Sequence, residues 1–206
     1  MKRKTIAIEG NIGSGKTTLA KLLAQKLGAG TVLETFENNP FLPKFYTDPD
    51  RYALPAELFF LTERYIQLQK RPPKEQLVIS DYTLVKSLIF AQVTLKKDEL
   101  ALYERVFKTV YATIPNPDLT VYLYNTPENL LAHIQKRGRP YEKIIKASYL
   151  EAIDRAYRQY YQYLQTEKIL ILDISAIDFL SNSGDLQKVI DLLEREQTVG
   201  VREIKL

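Results

Sequence analysis

One stretch leaves this chain little choice of fold. Gly10-Asn11-Ile12-Gly13-Ser14-Gly15-Lys16-Thr17 satisfies the pattern G-x-x-x-x-G-K-[ST] at every specified position. Ahead of it runs the β-branched segment Thr5-Ile6-Ala7-Ile8-Glu9. Behind it, Lys16-Thr17-Thr18 opens a stretch to Leu27 with apolar residues at helical spacing, which stops at Gly28. Strand, glycine-rich turn and helix together make a phosphate cradle. The glycines let successive backbone N–H groups turn inward on phosphate oxygens, and the helix N-terminus adds the positive end of its dipole. In such a cradle Lys16 reaches the β- and γ-phosphates and the Thr17 hydroxyl ligates Mg²⁺. ATP is therefore the expected nucleotide, bound by Gly10, Asn11, Ile12, Gly13, Ser14, Gly15, Lys16, Thr17 and Thr18.

Further along, strands and helices alternate. Strands are expected at Thr31–Glu34, Gln76–Asp81, Asp118–Tyr124 and Lys168–Leu172. A short element begins at Asn38-Asn39-Pro40 and ends near Tyr46. Helices are expected over Tyr52–Lys70 (ended by Arg71-Pro72-Pro73), Leu84–Leu95, Asp98–Ala112, Pro127–Lys136, Tyr141–Leu164 and Asp185–Glu194. Apolar strands without alternation, such as Leu77-Val78-Ile79 and Ile169-Leu170-Ile171-Leu172, are buried on both faces. The expected fold is α/β: a three-layer phosphate-loop NTPase fold with a parallel sheet of about five strands flanked by helices. The 206 residues suit one domain, with a lid at about 133–145; the tail after Gln197 gives no clear signal.

Composition removes several kinds of chemistry. With no cysteine there are no disulfides, thiolate metal sites or cysteine nucleophiles, and the single His133 argues against a histidine metal site. The net charge of +4 is spread without a Lys/Arg block, which points away from a nucleic-acid partner. No apolar run approaches the length of a membrane span, and Glu9 breaks the one after the basic start, so a cytoplasmic protein is expected. The base-reading N-K-x-D and switch D-x-x-G of GTPases and the S-G-G-Q of ABC-type ATPases do not occur, which leaves a small-molecule kinase.

Transfer to a hydroxyl needs a proton acceptor, a metal carboxylate and cations over the moving group. Glu34 and Asp81 sit at strand ends beside the phosphate loop: Glu34 is the expected base, and Asp81 the expected Mg²⁺ partner or the cap of the next helix. Arg137-Gly138-Arg139 stands between two helices, where a glycine break lets both guanidiniums swing onto phosphate oxygens or leaves them as a solvated turn.

These residues resemble the deoxynucleoside kinases, a family that includes deoxycytidine, deoxyguanosine and deoxyadenosine kinases. The likeness runs from Thr5 to about Leu172. Glu9-Gly10 to Thr18 is similar to the family's phosphate loop. Glu34-Thr35-Phe36-Glu37 resembles its E-P-V-E segment, which implies that Glu34 is the general base. The resemblance also implies that Tyr46 and Glu142 hold the sugar 3′-hydroxyl, that Arg137 and Arg139 hold ATP phosphates, and that Asp173–Phe179 surrounds the adenine of ATP. It further implies a homodimer acting on a small-molecule deoxynucleoside.

The departures bear on the acceptor. Asp81-Tyr82-Thr83 stands where the family has D-R-S or E-R-S, so Tyr82 replaces an Arg, and Arg64 is a candidate to supply the missing cation. The base-reading Gln falls on Glu57, and the residue for the base's other edge falls on Ser87. An ionised Glu57 only accepts hydrogen bonds, which favours a purine with donors, guanine above all. Other acceptors, a nucleoside monophosphate or a pterin, remain open, as does a catalytically weak nucleotide-binding protein. His133 reads as a surface residue and Tyr157, Tyr160, Tyr161 and Tyr163 as helix packing; Tyr52, Phe59, Phe60 and Phe90 line an aromatic acceptor pocket or fill the core, with core favoured for Phe59 and Phe60.

Overall fold

The computed structural model describes residues 4–35, 38–70, 77–195 and 197–206. Parts of the expected elements at Phe36-Glu37, Arg71–Gln76 and the basic start lie outside these residues.

The strands are β1 (Thr5–Gly10), β2 (Gly30–Val32), β3 (Val78–Ser80), β4 (Leu119–Tyr124), β5 (Lys168–Asp173) and β6 (Gly200–Lys205). They form one sheet in the order β2-β3-β1-β4-β5-β6, and every pairing is parallel. The sixth strand corrects the expected count of about five. It pairs with β5 at the sheet edge, where Arg202, Glu203 and Lys205 keep it charged and solvated. Such an edge strand carries no apolar run for a sequence to announce.

The helices are α1 (Lys16–Leu27), α2 (Leu42–Thr47), α3 (Pro49–Gln69), α4 (Val85–Thr94), α5 (Lys97–Tyr111), α6 (Pro127–Arg137), α7 (Ala147–Tyr161) and α8 (Ser183–Glu194), with a 3₁₀ turn at Pro140–Ile144. That turn occupies the start of the helix expected from Tyr141: Gly138 takes φ 76°, stops α6, and leaves Pro140 to open a separate turn.

Two faces of the sheet are covered, giving three layers. On one, Leu19 and Leu23 of α1 and Leu186, Val189 and Ile190 of α8 pack on Ile6, Ile8, Val121 and Leu170. On the other, α3, α4 and α5 close over Val78, and α4 and α7 close over Tyr122, Ile169 and Ile171. Tyr157 and Tyr161 are buried as helix packing, while Tyr163 is exposed. Strand β1 lies between β3 and β4, so the chain leaves it in opposite directions across the sheet, and the crevice at its C-terminal end is where such folds bind ligands.

Candidate active site

The phosphate loop follows β1 into that crevice. Gly15 has φ +86°, and a Cβ there would lie 2.9 Å from Phe179 Cζ. Phe179 comes from the segment after β5, so that segment packs on the phosphate loop. Among the described residues no side chain caps the start of α1, which leaves the first-turn N–H groups open to an anion. Ser14 Oγ is buried without a hydrogen-bond partner among the described residues. Lys16 Nζ donates to the Asn11 carbonyl at 2.6 Å. Burial pushes its ammonium down to about 7, helped by Lys86 and opposed by Glu34, Glu9 and Asp81. His133 is exposed, but its Nδ1 lies 2.8 Å from the Gly13 carbonyl; a carbonyl only accepts, so Nδ1 carries the proton. The expected surface residue therefore braces the phosphate loop.

Two carboxylates flank this loop. Asp81 accepts from the Thr17 hydroxyl on Oδ2 and from the Glu34 backbone N–H on Oδ1 at 2.7 Å. Thr17 and Asp81 thus put two hard oxygen donors side by side, the small set Mg²⁺ takes when phosphates and waters complete its shell. Glu9, buried at the end of β1, accepts from the Thr83 N–H and hydroxyl at 2.6 and 2.7 Å and from the Tyr157 hydroxyl at 2.8 Å. It ties the phosphate loop to the Asp81 segment and to α7.

Glu34 lines a cleft of about 420 Å³ that opens beside Lys16 and Thr17 and ends at Glu57, Phe90 and Tyr149. Each oxygen of Glu34 has its own cation. Arg64 Nε and Nη2 lie 2.7 and 2.6 Å from Oε1, and Lys86 Nζ lies 2.5 Å from Oε2. Burial alone would raise this carboxyl, but the Lys86 ammonium and the Arg64 guanidinium outweigh it and hold it well below the usual carboxylate range. Arg64, the candidate for the cation missing at Tyr82, lies against Glu34. Sequence reasoning passed over Lys86, which only the winding of α4 turns toward Glu34.

The structure corrects two placements. Tyr82 is fully buried in the α3–α5 core, and its hydroxyl donates to Gln67 Oε1 at 2.9 Å, so its ring does not line the cleft. Ser87 is also buried away from the cleft; its Oγ accepts from Arg64 Nη1 at 2.8 Å. It holds Arg64 in place and reads no base edge. Phe60, expected in the core, lines the cleft under the Arg64 guanidinium, 4.7 Å from the ring centroid.

At the far end, Glu57 is 5% exposed. Its Oε1 accepts from the Thr94 hydroxyl at 3.1 Å, and its Oε2 has no partner among the described residues. Burial pushes its carboxyl up to about 7, against the pull of Arg64 and Lys86. The expectation of an acceptor-only Glu57 holds only above that pH. Tyr46 lines the cleft and stacks on Tyr141 at 6.0 Å between centroids. In the 3₁₀ turn, Glu142 is buried and accepts from Arg137 Nη2 at 2.6 Å and from Arg139 Nη1 at 3.1 Å. The two arginines, expected either to swing onto phosphate oxygens or to form a solvated turn, are held on one carboxylate.

A phosphate loop at the switch point of a parallel sheet, with a cation-clamped carboxylate lining the adjoining cleft, defines a P-loop phosphotransferase. The family model described as deoxynucleoside kinase matches residues 6–198. A deoxyguanosine kinase of Bacillus subtilis (strain 168) is 38% identical over 192 residues, covering 89% of this chain and 93% of that one. A deoxyadenosine/deoxycytidine kinase of the same organism is 30% identical over 198 residues, covering 92% and 91%. Among solved structures, deoxyadenosine kinase from M. mycoides with bound dATP superposes with a TM-score of 0.81 at 25% identity, covering 93% of this chain and 100% of that one. The chain belongs to the deoxynucleoside kinase family and is an enzyme that phosphorylates deoxynucleosides. No helix among the described residues is long and apolar enough to cross a membrane.

Proposed function

We propose that the chain transfers the γ-phosphoryl group of ATP to the 5′-hydroxyl of a purine deoxynucleoside. The observation that carries this reading is Glu34, a cleft carboxylate with a separate cation on each oxygen and its backbone tied to Asp81. A carboxylate held this far down is always ionised and weakly basic. It suits a loose transition state in which the hydroxyl keeps its proton until late. Glu34 orients the hydroxyl, the oxygen–phosphorus bond forms as the bond to the leaving ADP oxygen breaks, and the released proton passes to Glu34 and then to solvent.

Lys16 and the open N-terminus of α1 hold the β- and γ-phosphates. Arg137 and Arg139, within reach of the same cleft, add charge over the moving group. Thr17 and Asp81 would hold Mg²⁺, which supplies charge neutralisation on the phosphate oxygens. Tyr46 and Glu142 hold the sugar, and Glu57 faces the base. Lys86 joins Arg64 as the second cation on the base carboxylate.

The purine preference rests on Glu57, whose Oε2 lines the cleft without a partner among the described residues, and is supported by the similarity to a deoxyguanosine kinase. The reading makes the chain a cytoplasmic homodimer, which light scattering tests by a mass twice the 23.8 kDa of one chain. For the reaction itself, the four common deoxynucleosides and thymidine monophosphate are incubated with γ-labelled ATP and Mg²⁺. Label on a purine deoxynucleoside supports the proposal; label on the monophosphate alone overturns it.

A further inference from the structure

The far end of the cleft departs most from the sequence expectation, because among the described residues Glu57 is the carboxylate left there to meet the nucleobase, beside the Tyr46 and Tyr149 rings. Arg64, placed on the same helix, is spent on Glu34 and Ser87. Ser87 is turned into the protein. Glu57 remains, with Oε1 on the Thr94 hydroxyl and Oε2 buried, unpaired and part of the cleft wall. A buried polar oxygen without a partner is costly unless a ligand satisfies it.

We propose that Glu57 reads purines in two protonation states: as a carboxylate it accepts from guanine and excludes adenine, and as a carboxylic acid it admits adenine. This deepens the reading above and rests on it. Guanine presents two donors side by side, N1–H and the 2-amine, and a carboxylate accepts both. Adenine presents an acceptor at N1 beside its 6-amine. A carboxylate meets the N1 lone pair with a second lone pair, which leaves two acceptors facing each other in a dry site. A carboxylic acid donates its O–H to N1 and accepts from the 6-amine. The Thr94 hydroxyl fits both states. It lies 3.1 Å from Glu57 Oε1 and 3.0 Å from the Phe90 carbonyl, and it gives its proton to one or the other.

The charges around Glu57 come from every packed element. Arg64 on α3 and Lys86 on α4 favour the carboxylate, and Glu34 after β2 opposes it. Tyr46 on α2, Tyr103 on α5 and Tyr149 on α7 face it with hydroxyls held protonated by burial. Their balance with burial puts the change of state near neutral pH.

The test compares kcat/KM for deoxyguanosine and deoxyadenosine across pH on the whole chain. The ratio of the two cancels any titration that acts on both alike, that of Lys16 included. Between about pH 6 and pH 8 the guanine-to-adenine ratio should rise roughly a hundredfold, because the ionised fraction of Glu57 rises about tenfold while the neutral fraction falls about tenfold. Glu57→Gln, which always offers one donor group and one acceptor, should flatten the ratio and keep deoxyadenosine active at the upper end. Binding gives a readout independent of the variant: near pH 8, calorimetry in two buffers should show deoxyadenosine taking up a proton and deoxyguanosine taking up none. A flat ratio with both purines turned over, or the same slope in Glu57→Gln, overturns the inference alone. Turnover of neither purine overturns it together with the reaction on which it rests.

Discussion

Lys86 Nζ lies 2.5 Å from Glu34 Oε2, on the opposite side of the carboxylate from Arg64. Two buried side chains from different helices thus share one anion at the mouth of the acceptor cleft. A carboxylate with a single cation would sit closer to its ordinary pKa and rotate more freely about its last torsion.

Lys86→Met should therefore lower kcat about 100-fold with little change in KM for the nucleoside, by the magnitude typical of one charged group aimed at a reacting centre. Lys86→Arg should recover part of the loss. Steady-state kinetics at saturating ATP checks this. A Met variant with unchanged kcat would remove Lys86 from the mechanism.

Glu57 carries a stability consequence. Its carboxyl sits near 7 in the folded chain against an ordinary 4.5, because burial disfavours the charge. Below the lower value it is neutral in both states and costs nothing. As pH rises to about 7, the unfolded chain ionises freely while the folded one resists, so stability is lost across that window and stays lost above it. Glu57→Gln should be more stable than the parent by roughly 3 kcal/mol near pH 8 and nearly equal to it near pH 4. Urea denaturation at both pH values measures the difference.

Gly15→Ala meets two obstacles. Its φ of +86° disfavours a side chain, and the new Cβ would press on Phe179 Cζ at 2.9 Å. The variant should lose about 1–3 kcal/mol of stability and most of its ATP affinity. Adding Phe179→Leu should return part of the stability, since it relieves the contact but not the backbone. Thermal melts of the single and double variants separate the two terms.

Local spacing made the phosphate loop legible, since eight consecutive residues specify both its turn and its helix. Glu34 and Asp81 were legible because strand ends in a parallel sheet face one crevice. Lys86, Tyr82 and Ser87 were not. All three lie within six residues after Asp81, and the turn between β3 and α4 decides which point into the cleft. That turn is set by Glu9 gripping Thr83 from the neighbouring strand β1, a contact 74 residues apart in sequence. The protonation of Glu57 was equally hidden, because it depends on burial by helices far along the chain. Strand β6 escaped because an edge strand with alternating charges resembles a solvated tail.

The most direct measurement is the rate of γ-label transfer from ATP to a purine deoxynucleoside by the parent chain and by Glu34→Gln, with nucleoside affinity measured in parallel. The expected result is a fall in kcat of about 10²–10⁴-fold with affinity changed only modestly, because the amide keeps the shape of Glu34 and cannot take the proton. A Gln variant that turns over within a few-fold of the parent would contradict the assignment of Glu34 as the proton acceptor.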